Sequence, residues 1–299
     1  MSYLLHLLIY LDIYVIVAIS LNLIVGYSGL LTLAHAGYFA IGGYAYALCT
    51  IRLGWGFVPA MLFGAVLASI LSLLVSLPTW RLSGDFFVMA SLAAQALLLS
   101  AFTNWFDASA PVGTWRNLTN GPFGISTIPK PAIFGSTFDT IGGVAVVATA
   151  VAGTCTLLTW NLLRSPWGRV LLALRDDELA ARGLGKNARL LKVQVFAIAC
   201  GMVATGGVIY SSYVGYIDPS IASMDFSILM LCLVIIGGAA NFRGPLVGAV
   251  VLLSIPELLR FVKIPEGMAA NVRMMAFGLL LVVLMHVRPQ GLAGRYRMD

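Results

Sequence analysis

Three stretches of the chain hold residues whose types and spacing could do chemistry. The first runs from Gly26 to Gly43 and carries Ser28, Thr32, His35 and Tyr38 among its glycines. Ser28 and Thr32 stand four apart and His35 follows three later, so on a helix all three would share a face. Hydroxyl and imidazole groups beside irregular, glycine-rich backbone suit a polar path across an apolar medium, because broken helix ends aim partial charges at a solute. The plainer alternative is packing glycines with hydroxyls satisfied by their own helix. The second stretch, Gly237-Gly238 through Gly248 with Asn241 and Arg243, has the same character. The third is GRVLLALRDDELAARGLGKNARLLK, residues 168–192, the one charge-dense run. With Arg164 it holds seven basic residues, and it holds three consecutive acids, Asp176, Asp177 and Glu178.

Other chemistries find less support. Cys49, Cys155, Cys200 and Cys232 are far apart in apolar surroundings and read as small hydrophobes, not as a disulfide or metal set. A phosphate-cradling loop is absent: Gly185-Lys186 is followed by Asn187, and position 180 is alanine. Asp12 falls mid-span, where a charge is costly and faces the bundle interior, protonated or paired. Glu257 and Arg260 are three apart and can pair on one helix face. No series of intramembrane acids forms a proton relay. Gly26-Tyr27-Ser28-Gly29 resembles the Gly-x-Ser-Gly element of rhomboid intramembrane proteases. That chemistry needs a histidine in hydrogen-bond reach of the serine. His35, seven residues on, is about 10.5 Å away along a helix; His286 is not excluded by distance.

The elements that must position these residues follow from composition. Of 299 residues, 18 are Lys or Arg and 12 are Asp or Glu, so 10% are charged, while 60% are hydrophobic. Typical globular chains are about 25% charged. Mean hydropathy is +0.95. Such a chain lacks a polar shell, which excludes a cytosolic enzyme, a secreted domain and a disordered protein. The fold class is an all-α, polytopic membrane bundle in one domain, 1–299. Spans are expected near 3–25, 37–51, 57–78, 86–103, 141–163, 191–212, 225–241, 246–262 and 272–287: about nine, within a range of eight to ten. The glycine-rich segment 26–37 reads as a broken helix or re-entrant turn. No span reads as a removable signal peptide.

With nine spans and the N-terminus outside, twelve Lys and Arg fall in one set of loops (Arg81, seven in 164–192, Arg243, Arg288, Arg295, Arg297). Six fall in the other (Arg52, Arg116, Lys130, Arg260, Lys263, Arg273). The positive-inside rule puts the first set, the loop 164–192 and the C-terminus in the cytoplasm. The net charge of +6 therefore reflects topology and not nucleic acid. The loop 104–140, with four prolines, faces outward as irregular structure that covers or receives something at the mouth. Gly-Gly pairs at 42–43, 142–143, 206–207 and 237–238 mark close helix packing or breaks.

Within 164–192 the pattern is a short amphipathic helix. Asp176 or Asp177 can cap it, Glu178 and Arg182 stand in the favourable i,i+4 order, and Gly183 and Gly185 can end it. Ala180, Ala181 and Leu184 make a small apolar face suited to a groove on a partner. A solvated loop whose arginines only set topology is the alternative.

This loop resembles the coupling segment of ATP-binding-cassette import permeases, Glu-Ala-Ala followed by Gly, here Glu178-Leu179-Ala180-Ala181 with Gly183 and Gly185 and a departure at Leu179. The wider run adds Gly168-Arg169, Leu174-Arg175 and Leu184-Gly185. It is similar to the branched-chain amino-acid permease family of LivM type. Asn22 to Gly29 with Leu33 to Tyr44 is similar to that family's first signature. Thr119-Asn120-Gly121-Pro122-Phe123-Gly124 resembles its outer-loop element, with Asn120 where glycine is usual. Gly237-Gly238, Gly244 to Ala249, Pro256 to Arg260 and Arg288-Pro289-Gln290-Gly291-Leu292 also fit. The resemblance covers nearly the whole chain.

It implies a non-enzymatic transport subunit in a bacterial or archaeal cytoplasmic membrane. Its partners would be a related second permease of LivH type, two ABC ATPases, a periplasmic-type solute-binding protein and membrane lipid, with no nucleic acid. ATP and Mg would sit on the ATPases, and no cofactor in this chain. It places ATPase coupling on Arg175, Asp176, Asp177, Glu178, Ala180, Ala181, Gly183 and Gly185. Candidates for the translocation path are Ser28, Thr32, His35, Tyr38 and Asn241. The cargo would be leucine, isoleucine and valine, with urea or amides as the alternative within the family. An ATP-independent channel or carrier is the rival of another class.

Overall fold

The computed structural model describes residues 2–79, 84–133, 136–260, 266–288 and 290–293. Among them are eleven α-helices: α1 (Ser2–Ser28), α2 (His35–Leu53), α3 (Phe57–Thr79), α4 (Asp85–Asn104), α5 (Ile141–Arg164), α6 (Pro166–Asp176), α7 (Glu178–Gly183), α8 (Ala188–Val214), α9 (Met224–Gly237), α10 (Gly244–Arg260) and α11 (Glu266–Val287). Nine overlap the expected spans; α6 and α7 lie in the charged loop. Five, α1, α3, α4, α5 and α8, are individually long and apolar enough to cross a membrane, and α9, α10 and α11 carry shorter apolar segments. Arg81, Lys263, Pro289, Arg295 and Arg297 lie outside the described residues, as do the side chains of Arg260 and Arg273.

α1, α2 and α8 form the core. α1 and α8 are buried over most of their length, and α2 is buried from His35 to Ala47. α3 shows how the surrounding medium selects a face. Its buried stripe is Ala60, Gly64, Ala68, Ser72 and Ser76, each four residues from the next. Its exposed stripe is Leu62, Val66, Ile70 and Leu74. A water-soluble helix does the reverse. Lipid tails are as apolar as leucine, so nothing drives large side chains inward, and small residues win the interface by close approach.

The same rule governs the α2–α8 crossing. A Cβ on Gly42 would meet the Ala204 backbone, and one on Gly207 would meet the Phe39 carbonyl. Asp12, costly at this depth, accepts a hydrogen bond from Thr149 Oγ1 at 2.7 Å. Glu257 accepts from the Tyr3 hydroxyl.

The loop 104–140 is more ordered than expected. Strands β1 (Ile125–Ser126) and β4 (Tyr216–Ile217) pair antiparallel, as do β2 (Ala132–Ile133) and β3 (Ser136–Thr137). Thr119 Oγ1 donates to Phe102 O at 2.6 Å, and Tyr46 Oη donates to Pro129 O at 3.0 Å, fastening the loop to the helix ends. Asn120 has φ 61°, and its side chain donates to Gly124 O at 2.7 Å. Asparagine can stand where the pattern has glycine because it tolerates the left-handed region better than other side chains. At Asp107 the Ser109 hydroxyl and then the Ser109 amide hold the carboxyl below the usual carboxylate range.

Candidate functional site

The site is built from two interruptions of the helical bundle and the charged segment beside them. α1 ends at Ser28 because Gly29 takes φ 68°, the left-handed conformation that stops helices. Residues 29–34 are non-helical. The expected shared helix face of Ser28, Thr32 and His35 is therefore not formed: Thr32 sits in the break and His35 opens α2. Irregular backbone at such depth needs protein partners for its amides, and it has them. Leu33 N–H donates to Ser91 Oγ (3.0 Å), Ala34 N–H to Thr32 Oγ1 (3.3 Å), Ala36 N–H to Ser227 Oγ (3.3 Å) and Gly37 N–H to Gln95 Oε1 (3.0 Å).

His35 Nε2 lies 2.9 Å from Ser20 Oγ, eight residues before the end of α1. That is about 12 Å along the helix, so α2 starts inside the bundle. α9 starts there too: Gln95 Nε2 donates to Ala222 O at 2.5 Å, just before Ser223 caps α9. Two helix N-termini thus converge on Gln95 and Ser227. His35 Nδ1 and the Tyr38 hydroxyl are buried nearby without a hydrogen-bond partner among the described residues. Ser28 Oγ donates to Ile24 O at 2.6 Å, and the His35 ring faces Ser20, so this serine has no histidine base from α2.

The second interruption, 238–243, folds against α1. Asn22 clamps it: Ala240 N–H donates to Asn22 Oδ1 and Asn22 Nδ2 donates to Asn241 O, both at 3.1 Å. The C-terminal segment closes the other side, with Leu292 N–H on Ile236 O and Ala293 N–H on Gly237 O, each 3.0 Å, and Asn241 Nδ2 on Ala293 O. Phe242 packs on Trp160, whose ring carries the Arg164 guanidinium 3.9 Å above it.

The charged segment stands at this same end. Asp177 ends α6 and caps α7, its Oδ1 accepting from Ala180 N–H at 2.9 Å. Asp176 instead takes Arg175, at 2.7 Å. Glu178 pairs with Arg182 at 2.5 Å and with Lys192 at 2.7 Å, which pins α7 to the start of α8. The expected apolar face is split. Ala181 turns inward against Leu174, Ala188 and Leu191. Leu184, the C-cap of α7, is 81% exposed, and Leu179 in its first turn is 79% exposed. Gly183 closes α7, and Gly185 follows with φ 76°. Leu179 was treated in the sequence only as a departure from a pattern; its apolar side chain in a charged run is the signal that marks it.

The model of the family described as branched-chain amino acid transport system, permease component, matches residues 3–285. This chain belongs to that family. As such a permease it is 30% identical over 303 residues to the high-affinity branched-chain amino acid transport system permease protein LivM of Escherichia coli (strain K12), covering 94% of this chain and 67% of the relative. It is 26% identical to the probable LivM permease of Methanocaldococcus jannaschii, over 95% of this chain and 91% of that one. It is also 26% identical to the Escherichia coli permease LivH, over 96% and 92%. No solved structure matches it. The permease's relatives are transport subunits, and with its apolar helices they make it a multi-pass membrane protein.

Proposed function

We propose that this permease is the membrane-spanning subunit of an ATP-driven importer, moving branched-chain amino acids or closely related small polar solutes. In this reading the 164–192 end faces the cytoplasm and the 104–140 end faces outward. A second permease of LivH type completes the pathway, two ABC ATPases hold ATP and Mg, and a binding protein delivers solute at the outer end. The observation that carries the reading is α7: a capped helix pinned by Glu178 to Lys192 that presents Leu179 and Leu184 to its surroundings. Exposed leucines on a held helix fit a hydrophobic groove on a partner.

The convergent N-termini of α2 and α9 support the choice of solute. Their partial positive charge suits a carboxylate, and His35 and Tyr38 stand beside them with hydrogen-bonding capacity to spare. Ser28 borders the first interruption, Thr32 lies within it and Asn241 lies within the second; they serve the path by shaping these breaks.

The test is reconstitution with the partner permease, the ATPases and the binding protein in vesicles, reading labelled leucine. Uptake against a gradient should need ATP. Leu184→Asp, at a position whose exposure leaves folding intact, and Glu178→Lys should each cut ATPase co-purification and uptake by about tenfold, the factor carried by 1.4 kcal/mol. Full assembly and uptake in both variants would refute the docking role. Uphill accumulation by the permease without any ATPase would refute the whole reading.

A further inference from the structure

The geometry points to Arg175 as the positioning residue that transmits movement of the α6–α7 segment to both interruptions of the bundle. The inference rests on the docking role proposed for α7 and adds a path by which docking reaches the membrane interior.

The Arg175 side chain is only 11% exposed, whereas that of Asp176 beside it is 60% exposed. A guanidinium so enclosed must have its donors met. Nη1 donates to Gly26 O at 2.9 Å, and Nε and Nη2 both donate to Asp176 Oδ1, at 3.0 and 2.7 Å. Gly26 O is one of the last carbonyls of α1, which lack intrahelical partners, and a cation suits that end of the helix dipole. α1 carries no basic residue in its own last turn. Arg175 supplies the charge from 149 residues away.

The contact touches both interruptions at once. Its aliphatic stem lies on Gly29, the first residue of the 29–34 break: a Cβ there would be 3.1 Å from Arg175 Cγ. On its other side Gly26 abuts the second break, since a Cβ on Gly26 would strike Asn22 Oδ1 and the Ala240 amide. At the driving end, Asp177 follows Arg175 by two residues and is both the C-cap of α6 and the N-cap of α7. Leu174 and Ala181 pack together with Ala188, so α6, α7 and the start of α8 shift as a unit. A pull on Leu179 and Leu184 therefore reaches Gly26 through one charge-assisted contact, and from Gly26 both breaks.

A cysteine reporter tests this in the complete complex. Leu31, partly exposed in the 29–34 break and lining a cavity of about 130 Å³, is changed to Cys, while the four native cysteines are buried. The maleimide labelling rate is compared with and without ATP plus vanadate. With Arg175 intact the two rates should differ by roughly fivefold, the low end of site-to-site couplings. With Arg175→Ala the ratio should fall to near one in complexes that retain their ATPases. Arg175→Lys keeps the charge, but its single ammonium cannot span Gly26 O and Asp176, so its ratio should fall as well. A ratio unchanged in either variant, no ATP dependence in the parent, or failure of both variants to assemble would overturn the inference. Leu184→Asp in the same background separates the two ideas. Loss of docking there with an unchanged Arg175→Ala ratio refutes the transmission role alone; intact docking and uptake refutes the reading beneath it.

Discussion

Gly207→Ala and Gly142→Ala place the same methyl group into sequence contexts that look alike, each in a Gly-Gly pair, yet they should move stability in opposite directions. In an exposed helix the exchange gains up to about 1 kcal/mol from helix propensity. Gly142 lies in the first turn of α5 with nothing within 4 Å of its Cβ position, so that gain is the whole effect. At Gly207 the new Cβ would overlap the Phe39 carbonyl oxygen and lie 2.9 Å from the Phe39 carbonyl carbon and 3.1 Å from the Gly43 amide nitrogen. All three are backbone atoms of α2, so no side chain can swing away. The helices must part instead, at an overpacking cost of about 1–3 kcal/mol. An overlap with a backbone oxygen falls in the upper part of that range, about 2–3 kcal/mol, and set against the propensity gain it leaves a net loss of roughly 1–2 kcal/mol. For a chain of this order each kcal/mol moves Tm by about 2–4 °C. Thermal unfolding of the purified permease in detergent should show Gly207→Ala melting several degrees below the parent, and Gly142→Ala at or slightly above it. A Gly207→Ala protein as stable as the parent would refute the claim that α2 and α8 meet backbone to backbone.

Two further outcomes follow from local geometry. Asp177→Ala removes the α7 cap, worth about 1 kcal/mol, so hydrogen exchange should quicken at amides 178–183. Asp176→Ala, which caps nothing, should leave those amides unchanged; equal effects would contradict the assignment. Asn120→Val puts a β-branched residue at φ 61°, a strain of about 1–2 kcal/mol. It should therefore lower Tm more than Asn120→Gly, which loses only the bond to Gly124 O.

The five long apolar helices, α1, α3, α4, α5 and α8, were legible because membrane spans announce themselves in single runs of about 20 apolar residues, whereas the division of the charged segment into α6 and α7 was not. The break after Ser28 was legible as glycine-rich sequence, but the sharing of a face by Ser28, Thr32 and His35 was not, because Gly29 ends the helix in between. Either aspartate could have capped α7; Arg175 decided it by engaging Asp176 and leaving Asp177 free for the Ala180 amide. The apolar face of α7 was read as one surface. Leu174 and Ala188 lie close enough to claim Ala181 and leave Leu184 outward, a partition that depends on how α6 and α8 flank α7.

Hydrophobicity is additive and local, so the amino-acid order alone determined that this chain enters a membrane, where its long apolar helices run, and where its charge-dense segment lies. Tertiary structure alone decided which helix faces meet, which glycines are indispensable, and which distant partners Asn22 and Arg175 find. The physical reason is the solvent. In water, a helix displays its inward face as an apolar stripe, but in lipid both faces are apolar. The choice then falls to shape and to a few partly buried hydrogen bonds, such as Arg175 to Gly26 O and Ala240 N–H to Asn22, whose partners lie 149 and 218 residues apart.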